Sequence, residues 1–167
     1  MHAAVKRYSF RNKVEDYVRL AGELESLIRD ERNLIARAAN TAALIFGALP
    51  DINWAGFYFV RAGELIVGPF QGQPACTRIP IGKGVCGKAA ASRETIVVPD
   101  VHEFSGHIAC DTASRSEIVT PLLAGERVLG VLDIDSPSIG RFDSNDAQGL
   151  ERLATIFVSD LEGAYFD

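Results

Sequence analysis

A change of hydrophobic period at Pro50 constrains this chain more than any other feature. Before it, apolar side chains recur at helical spacing. Val14, Val18, Ala21, Leu24 and Ile28 share one face of residues 12–28, with Lys13, Glu15, Glu23 and Glu25 on the other. Asp30 can cap a second helix, whose stripe is Leu34, Ile35, Ala38, Ala42, Ile45 and Leu49. Pro50 ends that helix, because proline has no backbone N–H and clashes with the preceding turn.

After Pro50 the pattern becomes that of strands. Trp54-Ala55-Gly56-Phe57-Tyr58-Phe59-Val60 is aromatic and strand-like, and Arg61-Ala62-Gly63 turns it into Glu64-Leu65-Ile66-Val67. A loop rich in glycine and proline, Gly68 to Lys83, holds Cys76. A short alanine-rich helix covers Val85 to Ser92, with Cys86 near its start. Thr95 to Val98 reads as a brief strand stopped by Pro99. Residues 100–115 are polar and irregular and contain His102, His107 and Cys110. Two strands follow, Glu117 to Leu123 and Arg127 to Asp135, joined at Ala124-Gly125-Glu126. Asp143 then caps a closing helix with Ala147, Leu150, Leu153, Ala154, Phe157, Val158 and Leu161 on its inner face.

Helices, a strand meander and a final helix make an α+β domain. Its tight turns predict a mostly antiparallel central sheet with helices packed on one face. The 167 residues fit a single domain over 1–167: N-terminal helices about 12–49, strands and loops about 54–135, closing helix about 144–161. A net charge of -5 lacks the basic face that nucleic acid or an anionic membrane would need. No apolar region follows Lys6-Arg7, and no apolar stretch is long enough to span a bilayer, so the expected location is the cytoplasm. The N-terminal helix offers a candidate surface for a homodimer.

Three cysteines are an odd number, and thiols in that compartment are kept reduced. Each is therefore a packing residue, a metal ligand or a reactive thiol. Cys76, Cys86 and Cys110 show no short C-x-x-C spacing, so a structural zinc site has little support. Cys110 lies in the loop Gly106-His107-Ile108-Ala109-Cys110-Asp111, a placement that favours chemistry over packing. Its neighbours pull in opposite directions: His107 favours a thiolate and Asp111 opposes one.

Gly82-Lys83-Gly84-Val85-Cys86-Gly87 matches G-x-G-x-x-G. A dinucleotide fold would need a βαβ unit and an acid about twenty residues on, whereas Glu94 follows too soon. It reads instead as a glycine-rich turn into a short helix. Asp133-Ile134-Asp135 places two carboxylates on one face of a strand. They are either a solvated strand end before Ser136-Pro137 or a pair that binds an ammonium group or shares a proton. If the strands through Glu117 and Asp135 pair, an acid from each meets at one end of the sheet. Trp54 and Tyr58 belong either to the core or to the wall of an apolar pocket.

Gly72-Gln73-Pro74-Ala75-Cys76, Gly82-Lys83-Gly84-Val85-Cys86-Gly87, Gly106-His107-Ile108-Ala109-Cys110-Asp111, Ser116-Glu117-Ile118-Val119-Thr120-Pro121 and Gly130-Val131-Leu132-Asp133-Ile134-Asp135-Ser136 together resemble the free methionine-(R)-sulfoxide reductases, which are GAF-domain enzymes. The resemblance runs from about Trp54 to Phe142. It implies that Cys110 attacks the sulfoxide sulfur and becomes a sulfenic acid, which Cys76 resolves as a disulfide. Cys86 matches the family's third cysteine, as a relay or an assistant. Glu117 and Asp135 would hold and protonate the sulfoxide oxygen, Asp133 would help bind the substrate's ammonium, and Trp54 and Tyr58 would line the methylthio end. A thioredoxin-like reductant would reset the enzyme, with no metal, flavin or nucleotide cofactor. Two other functions suit the same fold: a non-enzymatic GAF module that binds a small ligand, and a cysteine redox sensor.

Overall fold

In the computed structural model, which describes residues 8–106, 112–159 and 161, the element order is α1 (Lys13–Ile28), α2 (Leu34–Ala48), β1 (Trp54–Arg61), β2 (Glu64–Gly72), β3 (Arg78–Pro80), α3 (Gly84–Ser92), β4 (Ile96–Val98), β5 (Ser116–Ala124), β6 (Arg127–Ser136) and α4 (Ser144–Val158). The strands form one six-stranded sheet in the order β3-β2-β1-β6-β5-β4, and every neighbouring pair is antiparallel.

Side-chain alternation splits the core in two. Ala55, Phe57 and Phe59 of β1 and Leu132 and Ile134 of β6 join the inner faces of α1, α2 and α4. Trp54, Tyr58, Val119 and Val131 face the other way and pack with Val85, Cys86 and Ala89 of α3. Three helices therefore share one face, as the pattern implied. The short α3, read from the sequence as a helix over Val85 to Ser92, lies across the opposite face. Among the described residues no helix is long and apolar enough to cross a membrane.

The helix faces differ in detail from the periodicity reading. Val14 and Val18 are 59% and 50% exposed, and Tyr17 and Leu20 take their place in the core. The two stripes are about one residue apart around the helix, and the larger side chains win the buried side. Asn33, not Asp30, caps α2, its side chain accepting from the Ala36 N–H at 3.0 Å. Ile35 points outward, while Arg37 and Thr41 are buried.

Arg37 is buried for a structural reason. Its guanidinium donates to the carbonyls of Ile28 and Glu31 after α1 and to those of Ile156, Phe157 and Ser159 at the end of α4, over 2.8–3.0 Å. Helix C-termini leave carbonyls without intrahelical donors, and here one side chain serves two such ends. The start of α4 is fixed as its sequence implied. Asp143 forms a capping box with Asp146. The fully buried Asp146 also accepts from Tyr17 and Arg141 and pairs with Lys13.

The segment Gly68–Lys83 is more ordered than a loop. β2 continues to Gly72, and β3 adds an edge strand beyond it. The sequence hid this because Pro69 interrupts the strand pattern. Pro69 falls where the β1–β2 register shifts between Gly56 and Tyr58, a place where a missing N–H is tolerated.

Candidate active site

Three adjacent strands bring the sequence-predicted acids together. Asp135 on β6 is the cross-strand partner of Trp54 on β1 and of Glu117 on β5. Two residues along, Asp133 lies between Gly56 and Val119. By strand alternation all these side chains project from the face that carries α3. Asp133 and Glu117 are each 6% exposed, which rules out the solvated-strand-end reading for Asp133; Asp135 is half-buried.

α3 lays its first turns over this row. Cys86, 3% exposed and a free thiol, has its Sγ 4.0 Å from Glu117 Oε1. A position near a helix N-terminus ordinarily favours a thiolate. Here burial pushes the Cys86 thiol up, and the carboxyls of Asp133 and Glu117 add to the effect. Burial likewise pushes Glu117 well above the usual carboxylate range, reinforced by Asp135. Asp133 is raised by burial and then by Glu117. The result is a buried set of acids that retain protons where exposed carboxylates would have lost them. One Asp133 oxygen, Oδ1, is buried with no hydrogen-bond partner. Such an atom costs free energy unless something supplies a donor.

The aromatic wall is stacked. The Trp54 ring lies 5.9 Å from Tyr58 and 5.1 Å from Phe70 between centroids, with interplanar angles of 27° and 18°. Its indole N–H donates to the Gln73 carbonyl at 3.1 Å. The ring folds over Gly56, where a Cβ would stand 2.8 Å from Trp54 Cη2 and 2.3 Å from Phe70 Cβ. Only glycine fits there, and its bareness lets Trp54 and Phe70 close over the strand. Burial, followed by Asp133, raises the Tyr58 phenol above its ordinary value.

Gly82-Lys83-Gly84-Val85-Cys86-Gly87 is a structural turn. The Gly82 N–H donates to the Gly87 carbonyl at 2.8 Å and Lys83 N–H to the Pro80 carbonyl at 3.0 Å, in an antiparallel setting with no βαβ unit.

The GAF domain family matches residues 23–159. The chain is 51% identical over 142 residues to the free methionine-R-sulfoxide reductase of Escherichia coli (strain K12), covering 85% of this chain and 86% of that one. The chain belongs to the free methionine-R-sulfoxide reductase family of GAF domains. It is also 44% identical to the free methionine-R-sulfoxide reductase of Saccharomyces cerevisiae, over 93% of this chain and 91% of the yeast protein. Among solved structures it matches free methionine-R-sulfoxide reductase from Neisseria meningitidis in complex with its substrate, with a TM-score of 0.88 and 45% identity over 94% and 93% of the two chains.

Of the chain's three cysteines, Cys86 lies among the acids and Cys76 is disulfide-bonded. Cys110 and His107 lie outside the described residues. Sequence reasoning missed Phe70 and Gln73, which fix the Trp54 ring, because both fall in the stretch it read as loop. It also missed Lys88 of α3. Its ammonium sits 4.3 Å from the Phe104 ring centroid and donates to the Ser105 carbonyl at 2.8 Å, holding the segment that leads toward Cys110. A lone lysine on a short helix carries no sequence signal for that contact.

Proposed function

We propose that this chain reduces free L-methionine-(R)-sulfoxide to methionine by cysteine chemistry. The observation that carries the reading is the row of Trp54, Asp135 and Glu117 on three neighbouring strands, with the buried Asp133 beside it. A small amino acid bearing one ammonium and one sulfoxide matches such a site, where Asp133 Oδ1 needs a donor. In this reading Asp133 takes the ammonium, and Trp54 and Tyr58 line the methylthio end. Glu117 and Asp135 hold the sulfoxide oxygen and protonate it. An acid whose pKa is raised by burial suits that step, because a sulfoxide oxygen leaves poorly unless protonated.

The cysteines supply the electrons. The Cys110 thiol attacks the substrate sulfur, the oxygen ends on Cys110 as a sulfenic acid, and methionine departs. The Cys76 thiol then displaces that oxygen as water and forms a disulfide. A thioredoxin-like dithiol reduces the disulfide and is itself oxidised. The disulfide-bonded state of Cys76, beside the free thiol of Cys86, supports Cys76 as the resolving residue. Cys86, held as a thiol among the acids, helps shape the oxygen's surroundings.

The test is consumption of free methionine sulfoxide with a thioredoxin system. Turnover of the R epimer alone, abolished in Cys110→Ser, is expected. Equal turnover of both epimers, or normal turnover by Cys110→Ser, would sink the reading. Peroxide-driven disulfide formation without any sulfoxide turnover would instead identify a redox sensor.

A further inference from the structure

Cys86, Glu117 and Asp133 do more than surround a substrate. Each offers one ligand atom, and those atoms all lie within 4.8 Å of one another, in full burial. They come from three different elements, α3, β5 and β6, so the sheet and the helix packed on it fix their spacing. Asp133 Oδ1 is buried with no hydrogen-bond partner, so the cradle holds one acceptor that a guest can fill. We infer that this cradle binds one borderline divalent cation of the zinc class, in competition with the amino-acid substrate.

The donor set decides the class. One sulfur and two carboxylate oxygens suit Zn²⁺ or Co²⁺, whereas Mg²⁺ and Ca²⁺ require six or more oxygens. Zn–S and Zn–O bonds of about 2.3 and 2.0 Å in tetrahedral geometry put sulfur and oxygen roughly 3.5 Å apart. Cys86 Sγ and Glu117 Oε1 are already at 4.0 Å, so a few tenths of an ångström of contraction suffices. The cation replaces the protons of the thiol and the acids, and its charge compensates groups that otherwise repel one another. Binding stands on this geometry alone. The competition rests on the function proposed above, because Glu117 and Asp133 cannot serve a cation and a substrate at once.

The experiment uses the oxidised full chain, in which Cys76 is disulfide-bonded and Cys86 is the free thiol. Cobalt(II) is the probe, since a cobalt–thiolate bond gives a charge-transfer absorption. The expected result is a one-to-one charge-transfer band that Zn²⁺ abolishes and excess Mg²⁺ leaves unchanged. The band disappears in Cys86→Ser, and cobalt affinity falls at least tenfold in Asp133→Asn. No band, or an undiminished affinity in Asp133→Asn, overturns the metal site. Free methionine-(R)-sulfoxide is then titrated against the cobalt form. Displacement supports the competition, and a band that persists at saturating sulfoxide overturns it while leaving the metal site standing.

Discussion

Glu117 and Asp135 face each other directly across the β5–β6 pair, on the side of the sheet that α3 covers. Like charges at opposed positions in a sheet repel, and this pair sits beside a third acid, Asp133, which is buried. A stable fold does not need that arrangement. Burial raises the pKa of Glu117 and of Asp133, and their neighbouring acids add to the rise, so both hold a proton more firmly than exposed carboxyls do.

Those raised values make stability depend on pH in a definite direction. Glu117 and Asp133 both have folded-state pKa values above their ordinary 4.5 and 3.8. Between the ordinary and the raised values the folded chain holds protons that the unfolded chain has lost. Stability from these groups is therefore complete below the ordinary values and declines as pH rises through the raised ones. The slope is up to about 1.4 kcal/mol per pH unit for each group. Glu117→Gln removes one such group. Thermal unfolding from about pH 5 to 8 is expected to show the wild-type midpoint falling more steeply than the variant's, with the variant the more stable at the upper end. Parallel curves would refute the shift at Glu117.

The same substitution should separate chemistry from folding. Glutamine keeps the size of Glu117 and its ability to hydrogen-bond but has no carboxyl proton to give in the step proposed for it. Glu117→Gln is expected to lower kcat by roughly 10²–10⁴ with a smaller change in KM. Asp133→Asn, which weakens the partner proposed for the ammonium, is expected to raise KM first. Steady-state kinetics on free methionine-(R)-sulfoxide checks both. A Glu117→Gln enzyme with full kcat would remove Glu117 from the proton-transfer role.

The division between what the chain declares and what it conceals follows from periodicity. Strand alternation alone put Asp133 and Asp135 on one face, and the strand partner of Asp135 was the acid the sequence pointed to. The cap at Asp143 was equally legible, because side-chain capping is local. Trp54 was recognised, but not its stacking on Phe70, since that contact crosses two strands and the stretch holding Phe70 is masked by Pro69 at a register shift. Arg37 was invisible for the opposite reason. A charged residue on a helix reads as solvated, and only tertiary structure reveals five carbonyls that need it. The raised pKa values were half legible: like-charge proximity could be read from strand pairing, burial under α3 could not.

The cysteines make a kinetic prediction. If Cys110 carries the oxygen and Cys76 removes it, then Cys76→Ser still reduces one equivalent of sulfoxide and stops with oxygen on Cys110. Mass spectrometry after a single equivalent is expected to find the chain heavier by one oxygen, and multiple turnover with thioredoxin is expected to fall by about 10²-fold or more. Cys86→Ser is expected to keep the disulfide. A disulfide between Cys86 and Cys110 in the wild-type chain after one equivalent would transfer the resolving role to Cys86.

Arg37 offers the sharpest test of the fold. Its guanidinium joins the ends of α1 and α4 through five carbonyls, of which those of Ile28 and Ile156 also accept from the Glu31 N–H and the Ser159 hydroxyl, and its ring-facing side lies 5.9 Å from the Phe157 centroid. Phe157 in turn stacks on Phe57 of β1 at 4.5 Å, so the arginine connects the helical layer to the sheet. Arg37→Met keeps the aliphatic bulk and removes the guanidinium donors, so the carbonyls of Glu31, Phe157 and Ser159 lose the hydrogen bond that Arg37 supplies. Each such carbonyl costs about 1–3 kcal/mol, and partial access to water brings the expected loss to roughly 3–5 kcal/mol. In a chain of this size that lowers the melting midpoint by about 6–15 °C. Arg37→Lys can reach only some of the carbonyls and is expected to fall between the two. The row proposed for catalysis lies on the far face of the sheet, so KM for the sulfoxide at low temperature is expected to stay within about twofold of wild type, because distant sites are close to independent. Differential scanning calorimetry paired with kinetics decides the matter: a midpoint within about 2 °C of wild type, equivalent to well under 1 kcal/mol, would show that water serves those helix ends as well as Arg37 does.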